Sequence, residues 1–321
     1  NAAQWIEIKN SFLAARVWFI IPAFITLLLS HYSRALRWKL LMEPLGYKPG
    51  NFNTFAAVMI GYFVNAGVPR LGEVVKCSLL AKYENVRADK LIGTMVMERA
   101  VDVICLLLVF LAALVFQGDI IGDYVVTLFG NFFRDKAGST SISKILLSIG
   151  IVLLFLLVIH FILKKFGHID AIGKIKGVLK GIAVGLWSIR FLKKKWLFIF
   201  HTVFIWGMYY LSTTIGIFAL RETAHLGFAA GITTLAIGSI GIILTPGGIG
   251  AYPLLVSKLV GLYGLDENTI GTALGWLLWF VQTIIVIATG LILLLLFSYK
   301  NKNKSPLESR SKLTPEDIEQ I

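Results

Sequence analysis

The sequence predicts an all-α integral membrane protein: a polytopic helical bundle with two inverted repeats, each containing a helical hairpin broken by proline and glycine. Three observations predict it. Of 321 residues, 57% are hydrophobic and 15% charged, whereas a water-soluble domain carries roughly a quarter charged residues. Five stretches, near 16–38, 91–116, 143–163, 196–220 and 270–298, reach the length of about 20 apolar residues that a transmembrane helix needs. Two further apolar stretches, near 52–80 and 226–264, are interrupted at Val68-Pro69-Arg70-Leu71-Gly72 and at Thr245-Pro246-Gly247-Gly248-Ile249-Gly250. Each reads as a broken hairpin whose two ends emerge on the same side, whether it crosses twice or dips in and returns.

Charge then orders these elements across the membrane. The chain carries 31 Lys and Arg against 18 Asp and Glu, a net +13. A nucleic-acid surface needs a soluble scaffold beneath it, so no nucleic-acid partner is expected and the excess reads as topology. If the loop 164–195 is cytoplasmic, alternation places 34–48, 70–90 and 300–321 on the same side, and these regions hold 23 of the 31 basic residues. The expected location is therefore the inner (cytoplasmic) membrane, crossed several times. Residue 1 falls outside in this topology, which leads to the expectation of one more helix upstream.

In chain order, the first span ends in Ser33-Arg34-Ala35-Leu36-Arg37-Trp38-Lys39. It reads as a snorkelling anchor with an interfacial Trp, or, since Arg34 and Arg37 share a face, as a dock for lipid headgroups. The break in the first hairpin places Arg70 and Glu73 where backbone groups leave a helix. A half-helix beginning there offers N–H groups and a positive dipole end to a phosphate, and Arg70 a planar donor set. Asn65 lies four residues before Pro69 and supplies an amide to the same place. The alternative is a permitted turn with a snorkelling arginine.

Within the span 91–116, Glu98, Arg99 and Asp102 sit at a depth where an ionisable group costs about 2.5–3.5 kcal/mol to insert. They read either as an internal ion pair that locks this span to a hairpin, or as part of a substrate path. The loop 164–195 repeats Ile172, Ile175, Leu179, Ile182, Leu186 and Ile189 at helical spacing, an interfacial amphipathic helix over about 168–192. The second break carries Gly247, Gly248 and Gly250 and no charge, which suits close backbone approach to a helix or a ligand. Residues 1–299 thus form a membrane domain and 300–321 a cytoplasmic polar tail. Cys77, Cys105, His31 and His201 have no ligand-spaced partners, so neither metal nor cofactor is expected.

The two hairpins also repeat each other. Ile60-Gly61 precedes Pro69 as Ile237-Gly238 precedes Pro246, and Ile-Gly-Thr recurs at 92–94 and 270–272. Three crossings and a hairpin separate the copies, so the second enters the membrane from the other side, as in transporters built from inverted repeats.

Taken together, Arg34-Ala-Leu-Arg-Trp38, Gly61 to Asn65, Pro69-Arg-Leu-Gly-Glu73, Glu98-Arg99 with Asp102, and Pro246-Gly-Gly-Ile-Gly250 resemble the flippase-like transmembrane region of the lysylphosphatidylglycerol synthase family, over about 16–298. The resemblance implies translocation of a phospholipid, or a polyprenyl-linked or other glycolipid, across the cytoplasmic membrane. It implies no aminoacyl-transferase activity, since that domain does not follow Asn301, and the chain is expected not to be an enzyme. Arg70 and Arg99 would meet the phosphate; Glu73, Glu98 and Asp102 would balance them, meet a cationic headgroup or carry a coupling proton. The expected partners are lipids with anionic or zwitterionic headgroups, with a second copy or a lipid-modifying enzyme as protein partner. The rival expectation is a membrane enzyme or accessory subunit acting on lipid headgroups or polyprenyl phosphates, with Glu98 or Asp102 as base.

Overall fold

A computed structural model describes residues 6, 9, 10, 12–84, 86–133 and 192–302, with 125–133 as backbone only. The expected span 143–163, nearly all of the amphipathic helix 168–192 and the tail past 302 lie outside the described residues. Among those described there are helices and turns and no strand.

Helix α1 spans Val17–Met42 and is closed by a tight turn at Glu43–Leu45, with Gly46 left-handed at φ 85°. Helix α2 spans Asn51–Gly67 and ends because Val68 is drawn into extended geometry before Pro69. Arg70 then takes the left-handed conformation, φ 66°, rare for a residue with a Cβ, and α3 runs Leu71–Glu84. Helix α4, Ala88–Phe133, bends at Gln117 (φ −145°, ψ 43°), next to Gly118. Helix α5 is Lys195–Ala219, α6 Gly227–Leu244, α7 Ala251–Leu262, and α8 Thr272–Lys300, the last entered through a wide turn at Glu267–Gly271.

Among the described residues five helical stretches are long and apolar enough to cross a membrane: Val17–Leu45, Ala88–Tyr124, Lys195–Ala219, Ala224–Leu244 and Glu267–Lys300. Four match expected spans. Ala224–Leu244 is a further one, since the first arm of the second interrupted stretch is itself long enough. Leu107, Leu111, Val115, Leu291, Ile292 and Leu295 stay exposed along these helices, as side chains facing lipid do.

Contacts fix the order of the ends. At one end of the bundle the Lys39 ammonium meets Asn51, Lys194 pairs with Glu43 at 2.8 Å, Glu84 accepts from Gly50 N at 3.0 Å, and Asn301 donates to Asn53 at 3.3 Å. At the other, Arg16 N donates to Ala219 O at 2.8 Å, and Leu220, Leu226, Tyr263 and Leu265 share one apolar cluster. Helices α2 and α3 therefore open toward the first end, and α6 and α7 toward the second. Asn301 is 3% exposed, so the chain just past α8 is docked on the bundle.

Each of these two helix pairs closes on glycine. A Cβ on Gly72 would lie 1.8 Å from Gly61 O, and one on Gly241 would lie 2.6 Å from Tyr252 Cα, so backbone packs on backbone in both. The two breaks also meet: a Cβ on Gly247, at φ 59°, would stand 3.5 Å from Ala66 Cα. Trp279 Nε1 donates to Gly247 O at 2.9 Å and ties the second break to α8. By contrast Gly93, helical and with nothing within 4 Å of a built Cβ, carries only the entropic cost of glycine. Gly93→Ala is expected to stabilise the protein by about 0.5–1 kcal/mol in a thermal unfolding measurement.

Candidate functional site

The charged residues of α1, α3 and α4 converge on one cluster. Glu98 lies seven residues into α4 from Leu91, about 10 Å along the axis at 1.5 Å per residue. An unpaired carboxylate at that depth would be costly, and the fold surrounds it. Lys76 Nζ is 2.7 Å from Glu98 Oε2, and Arg34 Nη1 is 3.3 Å from Oε1, with Arg37 Nη2 at 3.7 Å from the same oxygen. One turn further along α4, Asp102 receives Arg34 Nη1 at 2.5 Å and Arg37 Nη2 at 2.7 Å. The two arginines, one turn apart on α1, thus bridge two carboxylates one turn apart on α4.

Aromatic and hydroxyl groups complete the shell. Trp38 is fully buried beneath the Lys76 ammonium, which sits 4.0 Å from its ring centroid, and the indole N–H donates to Thr94 Oγ1 at 3.0 Å. Arg34 donates to Tyr209 Oη at 3.2 Å and Arg37 to Thr202 Oγ1 at 3.4 Å. Such a site is favourable only because nearly every charge is met; removing one partner leaves the rest exposed to a low dielectric.

The cluster is closed on one side and open on the other. The Glu98 and Arg37 side chains are 0% exposed and Arg34 5%, while Asp102 is 14%, Glu73 27% and Arg99 40%. Arg99 is the outlier. Its contacts to Glu73, Glu98 and Asp102 are 3.7, 3.7 and 4.0 Å, all too long for a hydrogen bond. Arg34, Arg37, Lys76 and Arg99 face Glu73, Glu98 and Asp102, so one positive charge is in excess. At the open edge this leaves a guanidinium with free donors, a geometry that accepts a phosphate or carboxylate in two-pronged fashion.

Several residues singled out in the sequence lie elsewhere. The segment Ser33–Lys39 is not an interfacial anchor: Arg34, Arg37 and Trp38 are turned inward, the two arginines onto carboxylates of α4 and the indole onto the Thr94 hydroxyl. Asn65 Oδ1 accepts from Gly72 N at 2.8 Å, so it caps α3. Leu71 N and Glu73 N bond Val68 O and Arg70 O at 3.4 and 3.3 Å, so the first N–H groups of α3 are engaged within the turn. Arg70 is exposed and its side chain makes no ion pair or hydrogen bond among the described residues, leaving it outside the cluster. Gly247, Gly248 and Gly250 form the second break, all at positive φ, with Gly247 against Ala66 and not against the ions. His31 packs on Tyr62 with centroids 5.1 Å apart, and His201 Nδ1 lies 2.8 Å from Ser33 Oγ. No group of three or more His, Cys, Asp or Glu suited to a metal occurs among the described residues.

Lys76 is the residue that sequence reasoning missed. Counted with 70–90 as a cytoplasmic cation, it is 5% exposed and paired at the centre. Its signal was present in Glu73-Val74-Val75-Lys76, two opposite charges one helical turn apart inside an apolar hairpin.

Residues 2–290 match the family described as the lysylphosphatidylglycerol synthase TM region. Over 114 residues the chain is 32% identical to the UPF0104 membrane protein MJ1595 of Methanocaldococcus jannaschii, a match that covers 35% of this chain and 32% of that protein. No solved structure matches.

Proposed function

Because the chain belongs to the family of the lysylphosphatidylglycerol synthase transmembrane region, we propose that it is a multi-pass protein of the cytoplasmic membrane that carries a phosphate-bearing lipid across it. The cargo is a phospholipid or a polyprenyl-linked lipid whose phosphate docks on Arg99 at the open edge of the ion cluster. The observation that carries this reading is the contrast inside the cluster: Arg34, Arg37 and Lys76 are spent on carboxylates, while Arg99 keeps its donors and 40% of its side-chain surface.

The framework we propose is a pair of inverted repeats, α2–α3 and α6–α7, entering from opposite faces and meeting at their breaks. Support comes from their opposite openings and from Gly247 lying against Ala66. Helices α2, of 17 residues, and α3, of 14, rise about 25 and 21 Å at 1.5 Å per residue, short of a hydrocarbon core of about 30 Å; this favours a hairpin that turns back inside the bilayer. We read the site as binding and not catalytic, since Glu98 and Asp102 are both held by cations and neither is a free base.

Mass spectrometry of lipids retained by the purified protein tests the docking site. Phosphate-bearing lipid is expected to fall at least tenfold in Arg99→Gln and to survive in part in Arg99→Lys. Equal retention by wild type and Arg99→Gln would overturn the assignment.

A further inference from the structure

The charged groups of the cluster are not held alike. Arg34 and Arg37 hydrogen-bond Asp102 at 2.5 and 2.7 Å, and Lys76 hydrogen-bonds Glu98 at 2.7 Å. Glu73 and Arg99 face each other across α3 and α4 at 3.7 Å, and among the described residues neither side chain makes a hydrogen bond. They are also the two most exposed members of the set. A contact of this length between two part-exposed charges is weak and is readily given up for another partner. Arg99 is the guanidinium assigned to the lipid phosphate, so the phosphate site carries an anion of its own, the Glu73 carboxylate.

A carboxylate displaced from Arg99 has a second place to go. Glu73 lies in the first turn of α3, where the positive end of a helix favours a negative charge. Arg70 is three residues earlier, exposed, and its side chain makes no ion pair or hydrogen bond among the described residues. Glu73 N donates to Arg70 O at 3.3 Å, so the two residues share one turn of backbone, a spacing at which their side chains can meet. The seam itself need not part for this to happen. Lys76, one turn further along α3, keeps the helix fastened to α4 through Glu98, and only the Glu73 side chain has to turn.

We propose that Glu73 is the internal counter-anion of the phosphate site, resting on Arg99 in the absence of lipid and passing to Arg70 when a lipid phosphate takes Arg99. Docking is then an exchange of one anion for another. Glu73 lowers the affinity of the site, because the phosphate has to displace it, and Arg70 raises that affinity by receiving the displaced carboxylate. Arg70 is thus a positioning residue that acts through Glu73 and does not touch the lipid. The proposal rests on the docking of phosphate at Arg99.

The test is a double-mutant cycle on lipid affinity. Dioleoylphosphatidylmethanol, a phosphodiester anion whose headgroup adds only a methyl, is titrated into the purified full chain in detergent at one pH and ionic strength, and binding is read by native mass spectrometry. Glu73→Gln is expected to bind at least fivefold more tightly than wild type, and Glu73→Ala to do the same. Arg70→Gln keeps a Cβ at the left-handed position, φ 66°, so it removes the charge without relieving the backbone; it is expected to bind at least threefold more weakly. In the Glu73→Gln background the Arg70→Gln change is expected to have no effect, since nothing is left for Arg70 to receive. That non-additivity separates a role through Glu73 from a contact with the phosphate. Glu73→Gln and Glu73→Ala variants that bind no more tightly than wild type would overturn the proposal, and so would an Arg70→Gln change that is silent in wild type or equally weakening in both backgrounds. In each of those cases a tenfold loss in Arg99→Gln leaves the Arg99 reading standing. Wild-type affinity in Arg99→Gln would instead remove that reading, and the exchange would fall with it.

Discussion

Glu98→Gln is expected to lower the stability of the folded protein by about 3–5 kcal/mol, the usual cost of breaking a buried ion pair from one side. The side chain is 0% exposed and accepts from Lys76 at 2.7 Å and Arg34 at 3.3 Å. The amide removes the negative charge but none of the cations. Arg34 and Arg37 keep Asp102, at 2.5 and 2.7 Å, so Lys76 is the group left stranded, buried against Trp38. Adding Lys76→Met should therefore recover most of the loss, because an apolar side chain of similar length then fills the space against the indole. Thermal unfolding in detergent reads both steps; a Glu98→Gln variant as stable as wild type would mean that the cluster is hydrated throughout.

Gly72→Ala is the second large effect, and it works through backbone shape. The added methyl would lie 1.8 Å from Gly61 O and 2.8 Å from Asn65 Cγ, and the first of these atoms belongs to a helix that cannot step aside. Overpacking of this kind costs about 1–3 kcal/mol and sometimes more. Here α3 must move away from α2, which strips the Asn65 cap from Gly72 N and draws Lys76 from Glu98. We expect a loss of at least about 3 kcal/mol or a failure to accumulate in the membrane, read by yield and unfolding temperature. A normally stable Gly72→Ala protein would contradict the packing of this helix pair.

Much of the framework was legible in the sequence because it is local. Apolar runs marked Val17–Met42, Lys195–Ala219 and Thr272–Lys300 within a few residues, and Pro69 and Pro246 marked the breaks, since a proline disfavours helical geometry in the residue before it and Val68 and Thr245 are both extended. The depth of Glu98 and Asp102 was legible for the same reason. Their partners were not. Arg34 and Arg37 follow a long apolar run, as snorkelling residues do, and only the packing of α1 on α4, 64 and 68 positions away in sequence, turns them inward. Lys76 was hidden among loop cations because charge counting assigns a side, not a direction. Asn65 reads from sequence as an amide for the pocket at the first break, and only the fold shows its oxygen on Gly72 N, seven residues ahead. Arg99 was recognised for its charge, but its unspent donors follow from three distances that no spacing encodes.

The most direct measurement of the central claim is the transbilayer movement of a fluorescent anionic phospholipid in proteoliposomes carrying wild type or Arg99→Gln, alongside the unfolding temperature of each. Among the described residues the ion contacts of Arg99 are 3.7–4.0 Å long, and its side chain is 40% exposed, so its replacement should cost at most about 1 kcal/mol of stability. The account predicts that movement falls to the protein-free rate in Arg99→Gln while the unfolding temperature is nearly unchanged. Movement at the wild-type rate in that variant would contradict it.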